Sequence, residues 1–405
     1  MVANKSIIHI DLDTFFVSCE RLLDRRLNGK PVLIGGITDR GVVAACSYEA
    51  RTFGVHSAMP MRVARQLCPE AIVIRGNSGT YSKFSDMVTD IIKEESPLYE
   101  KSSIDEFYID VSGMDQFFGT YKWGRELRER IIKETHLPIS FGLSTSKTVS
   151  KVGTNEAKPN GALQIKKGTE KDFLAPLSVK KIPMVGTQTY IKLRSLGVER
   201  VKTIQEMPCE LMERVMGKNG VSLWKKAQGI DNSPVVQYHE RKSISIERTF
   251  EKDTIDQIKL ISIITAMAEN LAYQLRNGNK LTSCVTLKIR YSDFQTTSKQ
   301  IRLPYTSLDH ILIKTVKELF VQLYQRRVLV RLIGVRMSHL VEGGFQMNIF
   351  EDTEEIVSLY QSMDKIRNRF GQDAVKRAIA MESKVIGRKN PFNGEPPVIP
   401  AHRRG

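Results

Sequence analysis

The segment SSIDEFYID (residues 102–110) places two carboxylates, Asp105 and Glu106, side by side inside an apolar run. In a regular strand, neighbouring side chains point to opposite faces of the sheet, so these two acids would diverge. They converge only if the chain bends at this point. The pattern therefore predicts a hairpin between PLYEKSS (97–103) and FYIDVSG (107–113), with both acids at its tight end.

An apolar run near the N-terminus, KSIIHIDL (5–12), also ends in an acid. If this strand pairs beside the hairpin, Asp11 lies close to Asp105 and Glu106. Three carboxylates that converge without a basic partner repel one another, and a divalent cation relieves the repulsion. Oxygen ligands without histidine or cysteine favour Mg²⁺ or Mn²⁺, and two such ions suit phosphoryl transfer. The alternative is that these residues are ordinary surface acids at strand ends.

Basic and aromatic residues elsewhere in the sequence favour a site for a triphosphate, which needs cations and hydrogen-bond donors. Tyr48 and Arg51 are three residues apart, on one face of a predicted helix start. Lys158 lies in the turn AKPNG (157–161). Each of these residues alone is typical of a solvated surface, but together with the acids they form a set.

The composition sets limits on the kind of protein. A chain of 405 residues fits about two to four domains, at roughly 100–200 residues each. The net charge of +16 and a pI near 9.5 favour a polyanionic partner such as nucleic acid. There is no apolar run long enough to span a membrane, no signal-peptide pattern, and the five cysteines are scattered. We therefore expect a cytoplasmic protein that has reduced thiols and no membrane partner.

The order of predicted elements favours an α+β, multidomain chain. Strands and helices alternate up to about residue 166, a small helical segment follows, and strands split by helices resume near residue 244. Helices are predicted at 13–29, 119–135, 146–156, 256–276, 307–325 and 354–371.

Five segments, in this order, resemble the successive motifs of the Y-family translesion DNA polymerases, nearest to the bacterial DinB branch. The resemblance runs from about residue 6 to residue 342. The segments are IIHIDLDTFFVSCE (7–20), SYEARTFGVHSAMPM (47–61), SIDEFYIDVSG (103–113), SFGLSTSKTVSK (140–151) and AKPNG (157–161).

The resemblance implies a right-hand polymerase with a ferredoxin-like palm, small fingers, a helical thumb with a helix-hairpin-helix, and an α/β little finger. It also implies a monomer. The implied bounds are 1–19 and 78–166 for the palm, 20–77 for the fingers, 167–233 for the thumb, 234–243 for a linker, 244–342 for the little finger and 343–405 for the tail.

The same resemblance implies a metal centre and its ligands. Asp11, Asp105 and Glu106 would be catalytic and would bind two Mg²⁺ ions, which Mn²⁺ could replace. The backbone carbonyl of Leu12 would help to hold the nucleotide-bound ion. We interpret the neighbouring Asp13 as structural.

The implied nucleotide site consists of Tyr48, Arg51 and Lys158, which would hold the dNTP triphosphate. Phe16 falls at the position of the steric gate, a ring under the sugar that excludes a 2′-hydroxyl. We interpret its neighbour Phe15 as a core residue.

Three arginines of the implied little finger, Arg248, Arg331 and Arg336, are predicted to contact phosphates of the primer-template DNA. A solvated surface role is the alternative for each. Basic residues outnumber acidic ones between 241 and 342, which favours the DNA contact.

After the little finger, QMNIF (346–350) resembles the peptide with which bacterial polymerases bind the replication sliding clamp. Gln346 would enter a polar subsite, and Ile349 and Phe350 an apolar pocket. The alternative is an ordinary buried strand.

The implied function is low-fidelity, template-directed DNA synthesis across damaged bases during DNA repair. Two alternatives stay open: a nucleotidyl cyclase, an enzyme that also uses a two-metal palm with adjacent acids, and a non-enzymatic Y-family paralogue that binds DNA and the clamp. A plain DNA-binding protein would explain the charge but not the acids. The chain departs from the family pattern at Met184, where glycine is common, and at Ala45, where threonine is common.

Overall fold

The computed structural model describes residues 5–114, 119–343 and 354–381. The chain divides into two compact units, one that reaches His239 and one that comprises Glu240–Lys389. Among the described helices, none combines the length and the apolar character needed to cross a membrane.

The described elements are numbered here in chain order. The strands of the first unit are β1 (Ile7–Leu12), β2 (Val32–Gly35), β3 (Val43–Cys46), β4 (Ile72–Ile74), β5 (Tyr99–Lys101), β6 (Glu106–Asp110), β7 (Ile139–Ser144) and β8 (Ala162–Gln164). Its α-helices are α1 (Phe15–Leu23), α2 (Tyr48–Thr52), α3 (Met61–Leu67), α4 (Ser78–Glu95), α5 (Thr120–Thr135), α6 (Lys147–Ala157), α7 (Glu170–Leu174), α8 (Thr187–Ser195), α9 (Val201–Glu206), α10 (Cys209–Met216) and α11 (Lys218–Ala227). The second unit contains β9 (Ser243–Thr254), α12 (Gln257–Asn277), β10 (Lys280–Tyr291), β11 (Thr296–Thr306), α13 (Asp309–Leu323), β12 (Val330–Glu342) and α14 (Glu354–Phe370).

A five-stranded sheet forms the centre of the first unit, with the spatial order β5-β6-β1-β7-β8. Strand β1 is antiparallel to both β6 and β7. The order of β5, β6, β1 and β7 is that of a ferredoxin-like sheet, as the resemblance implied. Every residue of β1 is buried, because the strand is central and the elements that follow it in the chain cover both faces.

A three-stranded sheet with the order β3-β2-β4 has a small core of its own, to which Leu33, Val43, Met61 and Ala64 contribute. Helix α2 begins directly after β3. The hydroxyl of Ser47 accepts a hydrogen bond from the backbone N–H of Ala50 at 3.2 Å, which caps the helix. This cap fixes the start of the helix that carries Tyr48 and Arg51.

Short helices α7 to α11 form a third cluster, whose core includes Leu174, Val201 and Leu223. Met184 lies in the turn before α8, with φ at +76° and its side chain 90 % exposed. A positive φ favours glycine, so the conformation explains why glycine is common at this position. The methionine side chain projects away from the protein.

The second unit is a four-stranded antiparallel sheet with the order β11-β10-β12-β9. Helices α12 and α13 pack on one face, and their apolar side chains meet those of the sheet, including Val285, Leu287, Ile289, Ile333 and Val335. The other face carries polar side chains.

The fold-class prediction, a multidomain α+β chain, is confirmed by this architecture. Most predicted helix ends lie within two residues of the observed ends. The first helix is an exception, because we predicted that it continues to Gly29 but α1 ends at Leu23. Asp24 is extended and accepts a hydrogen bond from the backbone of Arg26 at 3.0 Å, which starts a separate 3₁₀ turn. The palm, fingers, thumb, linker and little-finger bounds stay predictions.

Candidate active site

The two predicted groups of acids meet at one end of the five-stranded sheet. Asp11 of β1 and Glu106 of β6 are Cα partners in the sheet register. The backbone N–H of Leu12 donates a hydrogen bond to the carbonyl of Asp105 at 3.0 Å. Strand β1 therefore runs alongside the hairpin at the bend, which is the arrangement expected from the sequence.

Burial makes the carboxylates of Asp11 and Asp105 hard to ionise. Asp11 is 6 % exposed, and its pKa rises from 3.8 to about 7. Burial is the largest cause and the charges of Glu106 and Asp105 add to it, whereas Lys158 acts in the opposite direction. Burial also raises the pKa of Asp105, against a hydrogen bond from the Ser103 hydroxyl that favours the charged form.

The expectation that the acids converge without basic partners is wrong for two of them. The Nζ atom of Lys158 lies 2.6 Å from Oδ1 of Asp11, and Nζ of Lys151 lies 2.6 Å from Oε2 of Glu106. These pairs neutralise part of the negative charge in the protein alone.

Both lysines belong to a larger pattern that the sequence interpretation missed. Lys147, Lys151 and Lys158 are spaced i, i+4 and i+11, which places them along one side of α6 and its C-terminal extension. Each meets an acid of the sheet, and Lys147 pairs with Glu100 at 2.7 Å. The spacing was visible in the sequence and could have identified α6 as the helix whose lysines pair with the acids of the sheet.

His9 shares this environment and is also a residue that the sequence interpretation missed. It is fully buried in β1, and its Nδ1 lies 2.9 Å from the hydroxyl of Thr154. Burial lowers its pKa well below 6.5, and the nearby lysines lower it further. The ring is therefore neutral and adds no charge to the acids.

Within the described residues, no three histidine, cysteine or acidic side chains are gathered as a ready-made metal centre. The donor set nevertheless fits a hard divalent cation, because it consists of carboxylate oxygens. The raised pKa of Asp11 shows that Lys158 does not fully compensate the buried negative charge. A cation at this place would relieve the remaining repulsion once the lysine ammonium groups move away from the acids.

Asp13 holds the surrounding backbone together. Its Oδ2 atom accepts hydrogen bonds from the hydroxyl of Ser140 at 2.7 Å and from the backbone N–H of Asn160 at 2.6 Å. These contacts join the end of β1 to β7 and to the turn after Lys158. They support the interpretation of Asp13 as structural.

Two of the three predicted triphosphate residues, Lys158 and Tyr48, lie near Asp11, and the third, Arg51, lies beside Tyr48. The guanidinium of Arg51 lies 4.9 Å from the centre of the Tyr48 ring, as expected for neighbours on one helix face. Burial raises the pKa of Tyr48 to about 12, and the carboxylates of Asp13 and Asp11 contribute. Within the described residues, the buried Tyr48 hydroxyl has no hydrogen-bond partner. Lys158 completes the group through its contact with Asp11.

Phe16 and Phe15 have different surroundings. Phe16 is half-buried, and its ring stacks on Tyr81 with centroids 4.5 Å apart and planes 17° apart. The Tyr81 hydroxyl in turn donates a hydrogen bond to Glu20 at 2.6 Å. Phe15 is buried in the core, as expected. Tyr81 was missed from the sequence, and it holds the ring of Phe16 in place.

The three predicted DNA-contacting arginines do not share one face of the second sheet. Arg336 is exposed on the polar face. Arg248 is the register partner of Ile333, whose side chain is buried under the helices, so Arg248 belongs to the opposite face. The guanidinium of Arg331 lies 4.4 Å from the ring of Phe294.

The polar face of the second sheet carries a row of side chains that are candidates for contact with phosphate groups. Ser245, Arg336, Thr286 and Gln300 are successive cross-strand partners on the four strands. Hydroxyl, amide and guanidinium groups of this kind are typical donors to phosphate oxygens. The alternation of polar residues in β11 was the signal for this row in the sequence.

Two further points of the sequence analysis concern Ala45 and the predicted clamp-binding peptide. Ala45 is half-buried in β3 opposite Ile34 and carries no hydroxyl at this position. The predicted clamp-binding residues Gln346, Ile349 and Phe350 lie outside the described residues.

The buried acids, the lysines beside them and the separate sheet with a polar face place the protein in the class of nucleotidyl-transferring polymerases. Two family models match the chain, the impB/mucB/samB family over residues 10–155 and its C-terminal domain over residues 241–349. Together they cover more than half of the sequence. The chain belongs to the impB/mucB/samB family, the Y-family DNA polymerases.

Curated relatives extend the similarity over most of the chain. A DNA polymerase IV of Dehalococcoides mccartyi (strain ATCC BAA-2100) is 37% identical over 376 residues, which are 92% of this chain and 96% of that protein. A DNA polymerase IV of Treponema denticola is 33% identical over 95% of this chain and 96% of that protein. One from Clostridium perfringens (strain ATCC 13124) is 37% identical over 85% and 96%.

Solved structures show the same fold. A Y-family DNA polymerase chimera of Dbh and Dpo4 has a TM-score of 0.72 at 26% identity and covers 84% of this chain and 100% of its own. The DinB protein of Sulfolobus solfataricus has a TM-score of 0.59 at 25% identity with the same coverage. Family membership implies a polymerase that depends on a divalent metal.

Proposed function

We propose that this chain is a low-fidelity, DNA-directed DNA polymerase that transfers deoxynucleotides to a primer 3′-hydroxyl during translesion synthesis. The observation that carries the proposal is the convergence of Asp11, Asp105 and Glu106 at the hairpin bend. The inactive-paralogue alternative is not favoured, because all three acids are present. A nucleotidyl cyclase would not need the second unit with its polar sheet face.

We infer that the metal ions are two Mg²⁺, which Mn²⁺ can replace, held by the three acids and the carbonyl of Leu12. When bound, the ions activate the primer hydroxyl and stabilise charge on the attacked phosphate and the leaving pyrophosphate. The burial of Asp11 supports this assignment, because it keeps water from competing for the carboxylate. The acids of this protein supply negative charge and fixed positions.

Lys158 would have two partners in turn. In the protein alone its ammonium contacts Asp11 at 2.6 Å. We infer that it turns to the triphosphate when the nucleotide and the metal bind together. The metal would then neutralise Asp11, and the triphosphate would give the lysine another anionic partner. Arg51 makes no ion pair within the described residues, so it can meet phosphate oxygens directly. The buried Tyr48 hydroxyl would donate a hydrogen bond to the same group.

Primer-template DNA and dNTPs are the proposed partners, together with the sliding clamp through residues 346–350. The relative solved as an insertion ternary complex of Dbh DNA polymerase supports the DNA and nucleotide assignment. That structure has a TM-score of 0.60 to this chain. We propose a monomer in the cytoplasm. Deletion of 346–350 should reduce clamp-stimulated synthesis and leave synthesis without the clamp unchanged.

Primer extension tests the function. The wild-type chain should extend a primer on undamaged DNA and past an abasic site in the presence of Mg²⁺. The Asp105→Ala/Glu106→Ala variant should not extend it while still binding DNA. Asp110→Asn is a matched control, because Asp110 is an acid at the other end of β6. Full extension by the double variant would contradict the metal assignment, and no extension by the wild type would favour the recruitment paralogue.

A further inference from the structure

The turn between β10 and β11 holds an aromatic side chain out of the protein. Phe294 lies in this turn, which comprises residues 292–295, and it is 62 % exposed. Its φ is +64°, in the left-handed region that is unfavourable for a bulky residue. A glycine would adopt this conformation without strain, so the turn itself does not favour a phenylalanine. The reason for an aromatic residue here must therefore lie outside the turn.

Hydrogen bonds make the turn rigid. The backbone N–H of Phe294 donates to the carbonyl of Tyr291 at 3.0 Å, and the N–H of Tyr291 donates to the carbonyl of Gln295 at 3.0 Å. The N–H of Ser292 donates to the carbonyl of Leu329 at 2.8 Å, which ties the turn to the segment before β12. The exposed ring is thus held in place before any partner binds, and this lowers the entropic cost of binding.

Positive charge surrounds the exposed ring. The guanidinium of Arg331 lies 4.4 Å from the centre of the Phe294 ring, a cation–π contact, and the high exposure of the residue leaves the other face of the ring open. The segments 290–296 and 326–331 together contain one acid, Asp293, and four arginines, namely Arg290, Arg326, Arg327 and Arg331. Asp293 pairs with Arg326 at 2.8 Å. Among the described residues, Arg327 and Arg331 have no ion pair and can meet an anion.

An exposed aromatic ring among guanidinium groups is typical of sites for single-stranded nucleic acid. A base stacks on the ring, and the cations meet the phosphates beside it. A base inside a duplex has both faces covered by its neighbours, so the ring can stack only on an unpaired base or at the end of a duplex. An acidic peptide would pair with the arginines but would leave the ring without a stacking partner. The chemistry therefore favours an unpaired nucleobase.

The turn continues the polar face of the second sheet. Arg290, the last residue of β10 on that face, donates a hydrogen bond from Nε to the hydroxyl of Thr296 at 2.9 Å. Five residues of strand, about 17 Å, lead from Thr286 in the row of phosphate candidates to Tyr291 at the turn. Duplex DNA has one phosphate per roughly 3.4 Å along each strand. DNA that lies on the polar face would thus reach the turn within about five base pairs.

We propose that Phe294 and Arg331 form a stacking site for an unpaired nucleobase of the template strand ahead of the primer end. The inference rests on the proposed function, which supplies primer-template DNA as the ligand of the second unit. A primer-template offers an unpaired base only in the template strand beyond the primer. The open face of the Phe294 ring takes the base, and the guanidinium groups of Arg331 and Arg327 meet the neighbouring phosphates.

DNA affinity of the full chain, measured by fluorescence anisotropy without dNTP, tests the proposal. The two ligands are a blunt duplex and the same duplex with a short 5′ template overhang. Phe294→Leu keeps the apolar bulk but removes the aromatic face, so it should bind the overhang duplex about five- to a hundredfold more weakly than the wild type. Its affinity for the blunt duplex should change much less. Phe294→Trp restores a stacking surface and should bind the overhang duplex at least as tightly as the wild type.

Phe370→Leu is the matched control. Phe370 is 68 % exposed, and the guanidinium of Arg369 lies 5.2 Å from the centre of its ring. It belongs to α14, which is held on α12, and thus on the helical side of the sheet, by two ion pairs of 2.5 and 2.7 Å, Arg276 with Asp364 and Arg367 with Glu269. This variant should bind both DNA ligands like the wild type. An equal loss in the control would mean that any exposed aromatic residue contributes in this way, and it would overturn the proposal.

A fluorescent base in the overhang reports the stacking directly. The emission of 2-aminopurine at an unpaired template position should fall when the wild type binds, because stacking quenches it, and this fall should be lost with Phe294→Leu. Unchanged overhang affinity in Phe294→Leu, or an equal loss of affinity for the blunt duplex, would overturn the stacking site.

Primer extension by the wild type tests the proposed function separately. If the wild type extends primers but Phe294→Leu binds the overhang normally, the stacking site is wrong and the polymerase function stands. If the wild type binds the overhang through Phe294 but does not extend primers, the function is wrong and the stacking site stands.

Discussion

The two larger sheets of the molecule treat charge in opposite ways. The five-stranded sheet buries Asp11, Asp13 and His9 in and after its central strand. The four-stranded sheet exposes a row of polar side chains, with Arg336 among them, and packs apolar residues against its helices. Burial of a charge costs free energy, so the first arrangement requires compensation, whereas the second does not.

The difference separates a sheet whose buried side chains form the candidate active site from a sheet whose exposed side chains are candidates for binding. In the first sheet, the acids are paired with a lysine in or directly after α6 or accept a hydrogen bond from a backbone N–H group. Small changes there leave unpaired charge and should have large effects. In the second sheet, each exposed polar group already interacts with solvent, so the loss of one such group should have a small effect.

Asp11→Asn should reduce the rate of nucleotide incorporation by at least about 10³-fold, the upper range for removal of one preorganised electrostatic group. The carboxamide keeps the shape but cannot carry the charge that a divalent cation requires. Single-turnover incorporation at saturating dNTP measures the effect. A loss of less than tenfold would remove Asp11 from the metal ligands.

The same variant should change how stability depends on pH in the absence of metal. A carboxyl with a folded pKa of about 7, above its ordinary 3.8, stabilises the folded protein fully below about pH 4 and loses this contribution as the pH rises to about 7. Lys158, Glu106 and Asp105 face this group. In EDTA, the urea midpoint of the wild type should therefore fall relative to that of Asp11→Asn between about pH 4 and pH 7. Mg²⁺ should raise the wild-type midpoint alone, and parallel profiles would contradict the assignment.

Lys158→Met should weaken dNTP binding by about ten- to a hundredfold, which is typical of the loss of one charged hydrogen-bond donor. The KM for dNTP should rise more than the turnover number falls. Lys147→Met is the matched control, because Lys147 pairs with Glu100 at 2.7 Å on the same helix face. If both variants change KM equally, the effect comes from the packing of α6 and not from the triphosphate.

Phe16→Ala should reduce discrimination against ribonucleotides by about 10- to 200-fold, the range for steric selection in a pocket. Competition between dCTP and CTP opposite guanine measures it. Phe15→Ala provides the comparison, since this buried side chain should affect the free energy of unfolding and leave sugar selection unchanged. Equal sugar selection in the wild type and Phe16→Ala would exclude Phe16 as the gate.

Arg336→Ala should have the smallest effect, a modest loss of DNA affinity for all sequences. The slope of log K against log salt should fall by about 0.9, as expected when one phosphate contact is lost. Arg248→Ala, on the opposite face of the sheet, should leave the slope closer to that of the wild type. A larger change for Arg248 would mean that DNA contacts the edge of β9 and not the polar face.

Part of the acid site could be predicted from the sequence although Asp11 and Glu106 are far apart in the chain. The pairing of β1 with the hairpin follows from two apolar runs that each end in acid, and Asp11 and Glu106 are indeed register partners. The pairing of the lysines with the acids was missed, because Lys151 was not singled out and Lys158 was assigned to the triphosphate. Long-range ion pairs depend on how a helix crosses a sheet, which spacing alone does not determine.

Helix α14 shows a second reason why part of the structure could not be predicted from the sequence. Its existence and bounds were predicted within one residue, from a helical pattern at 354–371. Its orientation could not be predicted, because the usual rule buries Leu359 and Phe370, and the structure buries Asp364 and Arg367 instead. The partners of these charges, Arg276 and Glu269, are about 90 residues earlier in the chain. A pattern within one helix contains no information about them.

The pair between Arg276 and Asp364 also changes where the second unit ends. The match to the model of the family's C-terminal domain ends at residue 349, yet α12 of that domain pairs two of its charged residues with residues beyond 360. A fragment that stops at the family boundary would leave Glu269 without Arg367 and Arg276 without Asp364. A protease that cleaves the chain near residue 350 would thus sever the link between α14 and the rest of the unit. The half-life of the cleaved product would depend on whether α14 stays bound. The structural unit therefore extends past the residues that the family model covers.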